Sequence, residues 1–205
     1  MKTRKPLLTI LTAALVSAAA FTTHAQTWVN ILDPAHGGIA GSSSDIATDD
    51  AGNIFAVGST PQPTDGTMRA VVLGSGDQGA TWTVLDQYAE PGLSYAHHRA
   101  VAADPLTGSL FAGGNLNNLL PNGTYEFGTL WFIREWNPDT GVWSTVDDFA
   151  DLADDIGQAS CADILVTPSG DVYATGGGDA ALVVRKRAAG DRKSTRLNSS
   201  HESPS

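Results

Sequence analysis

Asp45-Ile-Ala-Thr-Asp-Asp-Ala-Gly52-Asn-Ile-Phe-Ala-Val-Gly58 is echoed twice further along the chain. The copies are Arg99-Ala-Val-Ala-Ala-Asp-Pro-Leu-Thr-Gly108-Ser-Leu-Phe-Ala-Gly-Gly114 and Asp163-Ile-Leu-Val-Thr-Pro-Ser-Gly170-Asp-Val-Tyr-Ala-Thr-Gly176. Each reads as a strand, a tight turn and a second strand, with Asp, Asn, Pro and Ser crowding the turn. Gly52, Gly108 and Gly170 stand where a hairpin asks for positive φ, which only glycine adopts without steric cost. They recur 56 and 62 residues apart.

Each period carries two more strands. Ala70-Val-Val-Leu73 leads to Thr81-Trp82-Thr-Val-Leu-Asp86, and Leu130-Trp-Phe-Ile133 leads to Trp143-Ser-Thr-Val-Asp147. The third period reaches Ala181-Leu-Val-Val-Arg185. A four-stranded unit of this length cannot bury both faces alone, so repeated units stack on one another. The expectation is an all-β fold, a β-propeller of four-stranded blades present as an incomplete set of about three. Its blades span about 43–87, 97–148 and 161–190. The Trp-led stretch Thr27-Trp28-Val-Asn-Ile-Leu-Asp33 resembles a fourth strand, so 27–33 is expected to act as a closing strand. A β-sandwich is the alternative, but irregular sandwich spacing does not make glycine, aromatic and Trp positions recur in register.

The two ends read differently from this core. Residues 1–25 have a basic start (Lys2, Arg4, Lys5), an apolar stretch from Leu7 to Phe21 and small residues before a cleavage point after Ala25, which predicts a signal peptide and a secreted or periplasmic product. The apolar stretch is too short and too rich in Ala and Thr for a membrane span. Residues 191–205 open on Asp191-Arg-Lys-Ser-Thr-Arg-Leu-Asn-Ser-Ser-His201, which resembles an in-frame translation of a common sequencing adapter. The tail is expected to be artefactual, with the natural protein continuing past Gly190.

The 205-residue chain has 12 Lys plus Arg against 22 Asp plus Glu, a net charge of −10. That surface disfavours nucleic acid and anionic membrane as partners. One cysteine, Cys161, excludes an intrachain disulfide.

Ser75-Gly76-Asp77-Gln78-Gly79-Ala80-Thr81-Trp82 matches S-x-D-x-G-x-T-W at every specified position. It resembles the Asp-box, or BNR repeat, of sialidases and other secreted propellers. A worn copy, Asn137-Pro-Asp139-Thr-Gly141-Val-Trp143, stands at the corresponding place in the second period. The resemblance implies a structural role for Ser75, Asp77, Gly79, Thr81 and Trp82, on the face opposite any ligand site. Asp77 is accordingly not nominated as a catalytic carboxylate.

Ligand sites on such a scaffold are expected in the loops joining one unit to the next and the second strand to the third. The first group holds His36, the stretch from Tyr88 to Arg99 with Tyr95, His97 and His98, and the acidic stretch from Asp147 to Asp163. The second holds Thr60 to Met68 and Asn115 to Phe127. Ligand-binding candidates are Tyr95, His97, His98, Arg99, Tyr125 and Glu126. His97 and His98 are adjacent, so a strand would aim them in two directions, and packing or surface roles are expected over a metal site. Tyr125-Glu126 forms a catalytic pair only if the segment is a loop. Asp147, Asp148, Asp151, Asp154 and Asp155 offer oxygen ligands for Ca²⁺, but in no recognised calcium-loop spacing, and no cofactor is expected.

The family resemblance also implies a test of activity. Sialidase chemistry needs a Tyr nucleophile, an acid/base Asp and several Arg on the substrate carboxylate, and the family's Arg-Ile-Pro segment is missing here. The leading expectation is a secreted module recognising carbohydrate or a cell-surface polymer. A sialidase-like glycoside hydrolase, with its catalytic residues beyond Gly190, is the alternative, and a scaffold for a protein partner is a third.

Overall fold

Short apolar runs punctuated by glycine turns give strands throughout, some alternating buried and exposed side chains and others, 54–61 and 110–117, buried on both faces. A computed structural model describes residues 39–118, 129–149, 159–178 and 181–191, and among them the chain is all β, without helix. Three antiparallel meanders follow one another. The first comprises β1 (Ser42–Thr48), β2 (Ile54–Pro61), β3 (Met68–Ser75) and β4 (Thr83–Tyr88). The second comprises β5 (Tyr95–Ala103), β6 (Leu110–Asn117), β7 (Leu130–Asn137) and β8 (Val142–Phe149). The third comprises β9 (Ser160–Val166), β10 (Val172–Gly178) and β11 (Ala181–Arg187). A single parallel bridge, Met68 to Tyr95, links the first two sheets. Residues 1–25, the 27–33 strand, His36 and the tail beyond Asp191 lie outside the described residues.

The three hairpin glycines do take positive φ, 83° at Gly52, 72° at Gly108 and 82° at Gly170. Two loop expectations are corrected. Tyr95 already begins β5, and Asn115 to Asn117 still belong to β6. Tyr95 pairs with Asn117 and His97 with Asn115, so cross-strand pairing extends the sheet through polar residues that read as loop.

The first strand of every meander carries a bulge at the same place. Pairing skips Ser44 between Ser43 and Asp45, Arg99 between His98 and Ala100, and Ala162 between Cys161 and Asp163. Opposite each bulge stands the glycine that closes the sequence repeat. A Cβ on Gly58 would lie 1.8 Å from the Ser42 carbonyl oxygen, on Gly114 1.8 Å from that of His97, and on Gly176 1.9 Å from that of Ser160. The repeated glycine is thus a backbone-approach requirement of the bulge.

Core forms between meanders rather than within them. Phe55, Val57 and Val72 of the first pack on Val101, Leu110 and Ala112 of the second. Phe111, Trp131 and Ile133 of the second pack on Cys161, Ile164, Val172 and Ala174 of the third. One ion pair recurs at both junctions. Arg134 on β7 grips Asp86 on β4 at 2.7 and 3.2 Å, and Arg185 on β11 grips Asp147 on β8 at 2.6 and 2.7 Å. These are equivalent positions: Arg134 and Arg185 pair with Ala112 and Ala174, and Asp86 and Asp147 pair with Val72 and Ile133. Asp45 adds a backbone link, accepting the Val101 N–H at 2.9 Å.

Candidate functional site

The bulges put side chains of two meanders side by side. Ser44, at the β1 bulge, hydrogen-bonds through Oγ to Nε2 of His97 on β5. The other ring nitrogen of His97, Nδ1, lies 3.0 Å from the Tyr95 hydroxyl, and the two rings stack with centroids 6.1 Å apart. Arg99, at the β5 bulge, donates from Nε to Oδ1 of Asn115 at 2.7 Å. Ser44 and Arg99 are exposed, Tyr95 and His97 half-buried, and Asn115 buried. Burial, with help from the Arg99 charge, holds His97 below the ordinary histidine pKa, so the ring is neutral at pH 7. One of its nitrogens therefore donates and the other accepts, which orders Ser44, His97 and Tyr95 into a polar chain.

His98 points the other way. It is fully buried with its ring 5.1 Å from Phe132, and neither nitrogen has a hydrogen-bond partner. Burial pushes its pKa down to about 3. It is a packing residue of the sheet interior, and the alternation that separates it from His97 is the ordinary pleat.

The loop between β3 and β4 is organised by its own side chains. The Asp77 carboxylate accepts the Thr81 N–H at 2.8 Å and the Thr81 hydroxyl at 2.6 Å, while Ser75 Oγ donates to it at 2.8 Å. These bonds hold Asp77 below the usual carboxylate range. The Gly79 N–H donates to Ser75 Oγ at 2.8 Å, and Trp82 Nε1 donates to the Gly79 carbonyl at 3.1 Å. Gln78 and Gly79 take φ of 60° and 88° to close the turn. Met68, beside Tyr95, and Ser75 stand at opposite ends of β3, so about 20 Å of strand separates this loop from Tyr95.

Tyr125 and Glu126 lie outside the described residues, as do Asp151, Asp154 and Asp155. Asp147, from the same acidic stretch, is taken up by Arg185. Among the described residues no group of three or more His, Cys, Asp or Glu is placed to hold a metal ion. Cys161 is buried, and burial raises its thiol to about 12, which leaves it protonated and inert. Two grooves, of about 460 and 410 Å³, open between neighbouring meanders at the hairpin end, and Tyr95, His97 and Arg99 line neither.

The structure therefore brings Tyr95, His97 and Arg99 to one surface and removes His98 from it. Sequence reasoning missed Ser44 and did not single out Asn115. No sequence signal marked Ser44: aligning the repeats on Gly58 and Gly114 sets it against Ala100, because the second hairpin is one residue longer, and its equivalence with Arg99 appears only in the strand pairing. No family model matches the chain, and no curated protein matches it.

Proposed function

We propose that the chain contributes consecutive blades of a secreted Asp-box β-propeller, and that it binds carbohydrate, free or on a cell-surface polymer, at Ser44, Tyr95, His97, Arg99 and Asn115. One observation carries the reading of the site: the hydrogen-bonded row Ser44–His97–Tyr95, spanning the adjoining first strands β1 and β5, lies beside the pair of Arg99 on β5 and Asn115 on β6. Sugars present hydroxyls that both donate and accept, together with apolar C–H faces. A serine, a neutral imidazole and an amide match the first, and a half-buried tyrosine ring matches the second. The site is built on strands rather than on loops, so little conformational entropy is lost when a ligand settles on it. Perfect agreement of 75–82 with the Asp-box pattern, at the far end of β3, supports the propeller reading.

The test is a glycan array with the exported protein, followed by titration calorimetry of the best ligand against the Tyr95→Ala and Arg99→Ala variants. Each substitution is expected to weaken binding at least about tenfold, roughly 1.4 kcal/mol. An array with no bound glycan, or full affinity in Tyr95→Ala, overturns the site. Turnover of a fluorogenic glycoside by the same protein would move the reading to a glycoside hydrolase.

A further inference from the structure

The row Ser44–His97–Tyr95 has an order that recognition of a sugar does not need. A hydroxyl on β1 meets one nitrogen of a neutral imidazole on β5, Ser44 Oγ at His97 Nε2, and the far nitrogen, Nδ1, lies 3.0 Å from the Tyr95 hydroxyl. A nucleophile, a base in hydrogen-bond contact with it and a third group that orients the base are the parts of covalent acyl transfer. The backbone builds this meeting place by repetition, but the chemistry occurs once. Ser44 stands at the β1 bulge and His97 two residues before the β5 bulge; the corresponding positions at the second junction are Arg99 and Ser160, a cation and a hydroxyl with no base between them. Access follows from the register too. Ser44, Arg99 and Ala162 are all exposed at the bulge position. Arg99 keeps that exposure with a meander packed on either side, so a further meander ahead of β1 in the same register leaves Ser44 open.

We propose that Ser44 is a nucleophile with His97 as its general base, and that the site hydrolyses carboxylic esters. This activity goes beyond carbohydrate recognition and does not rest on a sugar being the ligand. With hydrogen on Nδ1, donated to the Tyr95 oxygen, Nε2 accepts the Ser44 O–H. Ser44 Oγ attacks the ester carbonyl carbon while its proton passes to Nε2. The bond from that carbon to the alcohol oxygen then breaks, and the leaving alkoxide takes the proton and departs as the alcohol. Water attacks the acyl-serine carbonyl and gives its proton to Nε2, which returns it to Ser44 Oγ as the carboxylic acid leaves. Arg99 lies two residues along β5 from His97, and its charge reaches the ring. Its Nε is held by Asn115, while its terminal nitrogens make no hydrogen bond among the described residues and can donate to the oxyanion.

Release of 4-nitrophenol from 4-nitrophenyl acetate by the full chain tests the proposal, with Ser44→Ala, His97→Gln, Tyr95→Phe and, as a control on the neighbouring serine, Ser43→Ala. Wild type and Ser43→Ala are expected to turn over alike, with kcat/KM rising from acid to neutral pH on an apparent pKa below 6.5, because His97 must be neutral to accept the proton. Ser44→Ala and His97→Gln are expected to lose at least about 100-fold. Tyr95→Phe keeps the ring but removes the acceptor at Nδ1; as a positioning residue it is expected to lower kcat about tenfold with KM unchanged and to move the acid limb further down. Ser44 is exposed, so Ser44→Ala is expected to melt with wild type and its loss reads chemistry rather than folding. A fluorophosphonate probe, which phosphonylates an activated serine with loss of fluoride, is expected to label Ser44 in wild type and not in His97→Gln, as read by peptide mass spectrometry. Wild-type turnover no faster than that of Ser44→Ala, or label on a residue other than Ser44, overturns the proposal. Glycan binding without turnover or labelling overturns the hydrolase and keeps the recognition site, so the two readings fail separately.

Discussion

Replacing Gly114 by Ala isolates the physics of the bulge. The backbone there is ordinary extended strand, so the added methyl introduces no φ strain and acts only through contact. Its Cβ would sit 1.8 Å from the His97 carbonyl oxygen, 2.8 Å from its carbon and 2.9 Å from the His98 Cα. Carbon–oxygen contacts begin near about 3.3 Å, so β5 and β6 must part by roughly 1.5 Å where both are held by neighbours. The obstructing atoms are backbone and cannot rotate aside, which places the cost at the upper end of overpacking, about 3 kcal/mol. For a protein of this size that lowers Tm by roughly 6–12 °C. Gly76→Ala is the matched control, because its nearest contact is the end of the Asn53 side chain at 3.3 Å, and it is expected to melt with wild type. Thermal unfolding followed by near-UV circular dichroism reads both. Gly114→Ala melting within about 2 °C of wild type, less than 1 kcal/mol, refutes the argument that the bulge demands glycine.

Other outcomes are equally specific. Arg134→Ala leaves the Asp86 carboxylate, 10% exposed, without its bidentate partner and is expected to destabilise by about 3–5 kcal/mol, whereas the more exposed Arg185→Ala loses less; urea unfolding compares them. His98 and His97 both have folded pKa values below their unfolded ones, so the unfolded chain binds more protons as pH falls below 6.5 and stability drops with it. For His98 alone the loss between pH 6.5 and pH 5 is about 2 kcal/mol, and His98→Phe, which suits the neighbouring Phe132 ring, is expected to flatten that slope in urea melts. Asp77→Ala is expected to open the 75–82 turn to proteolysis while leaving ligand affinity at Tyr95 unchanged, since the two lie at opposite ends of β3.

Turns and strands were legible because their causes are local. Gly52, Gly108 and Gly170 announce positive φ, and the apolar runs beside them announce strands. The separation of His97 from His98 followed from the pleat. The recurrence of Asp86 and Asp147 four residues after Trp82 and Trp143 was on view too, yet not their purpose, because Arg134 and Arg185 meet them only across junctions of long sequence separation. The bulge was invisible for the same reason: it is a relation between a glycine on one strand and a carbonyl on another. Without it Tyr95 to Arg99 reads as loop, and Ser44, an ordinary serine beside two others, carries no mark of its place at His97.

The junctions also set the order in which the protein comes apart. Every buried cluster and every Arg–Asp clamp among the described residues joins immediate neighbours, and the second meander is held on both faces. Releasing that meander breaks both described junctions at once, whereas parting either junction leaves it held by the other. Amide protons of β6 and β7 should then exchange most slowly, and the bulge surface of β5, anchored in that middle sheet, stays ordered while either flank breathes.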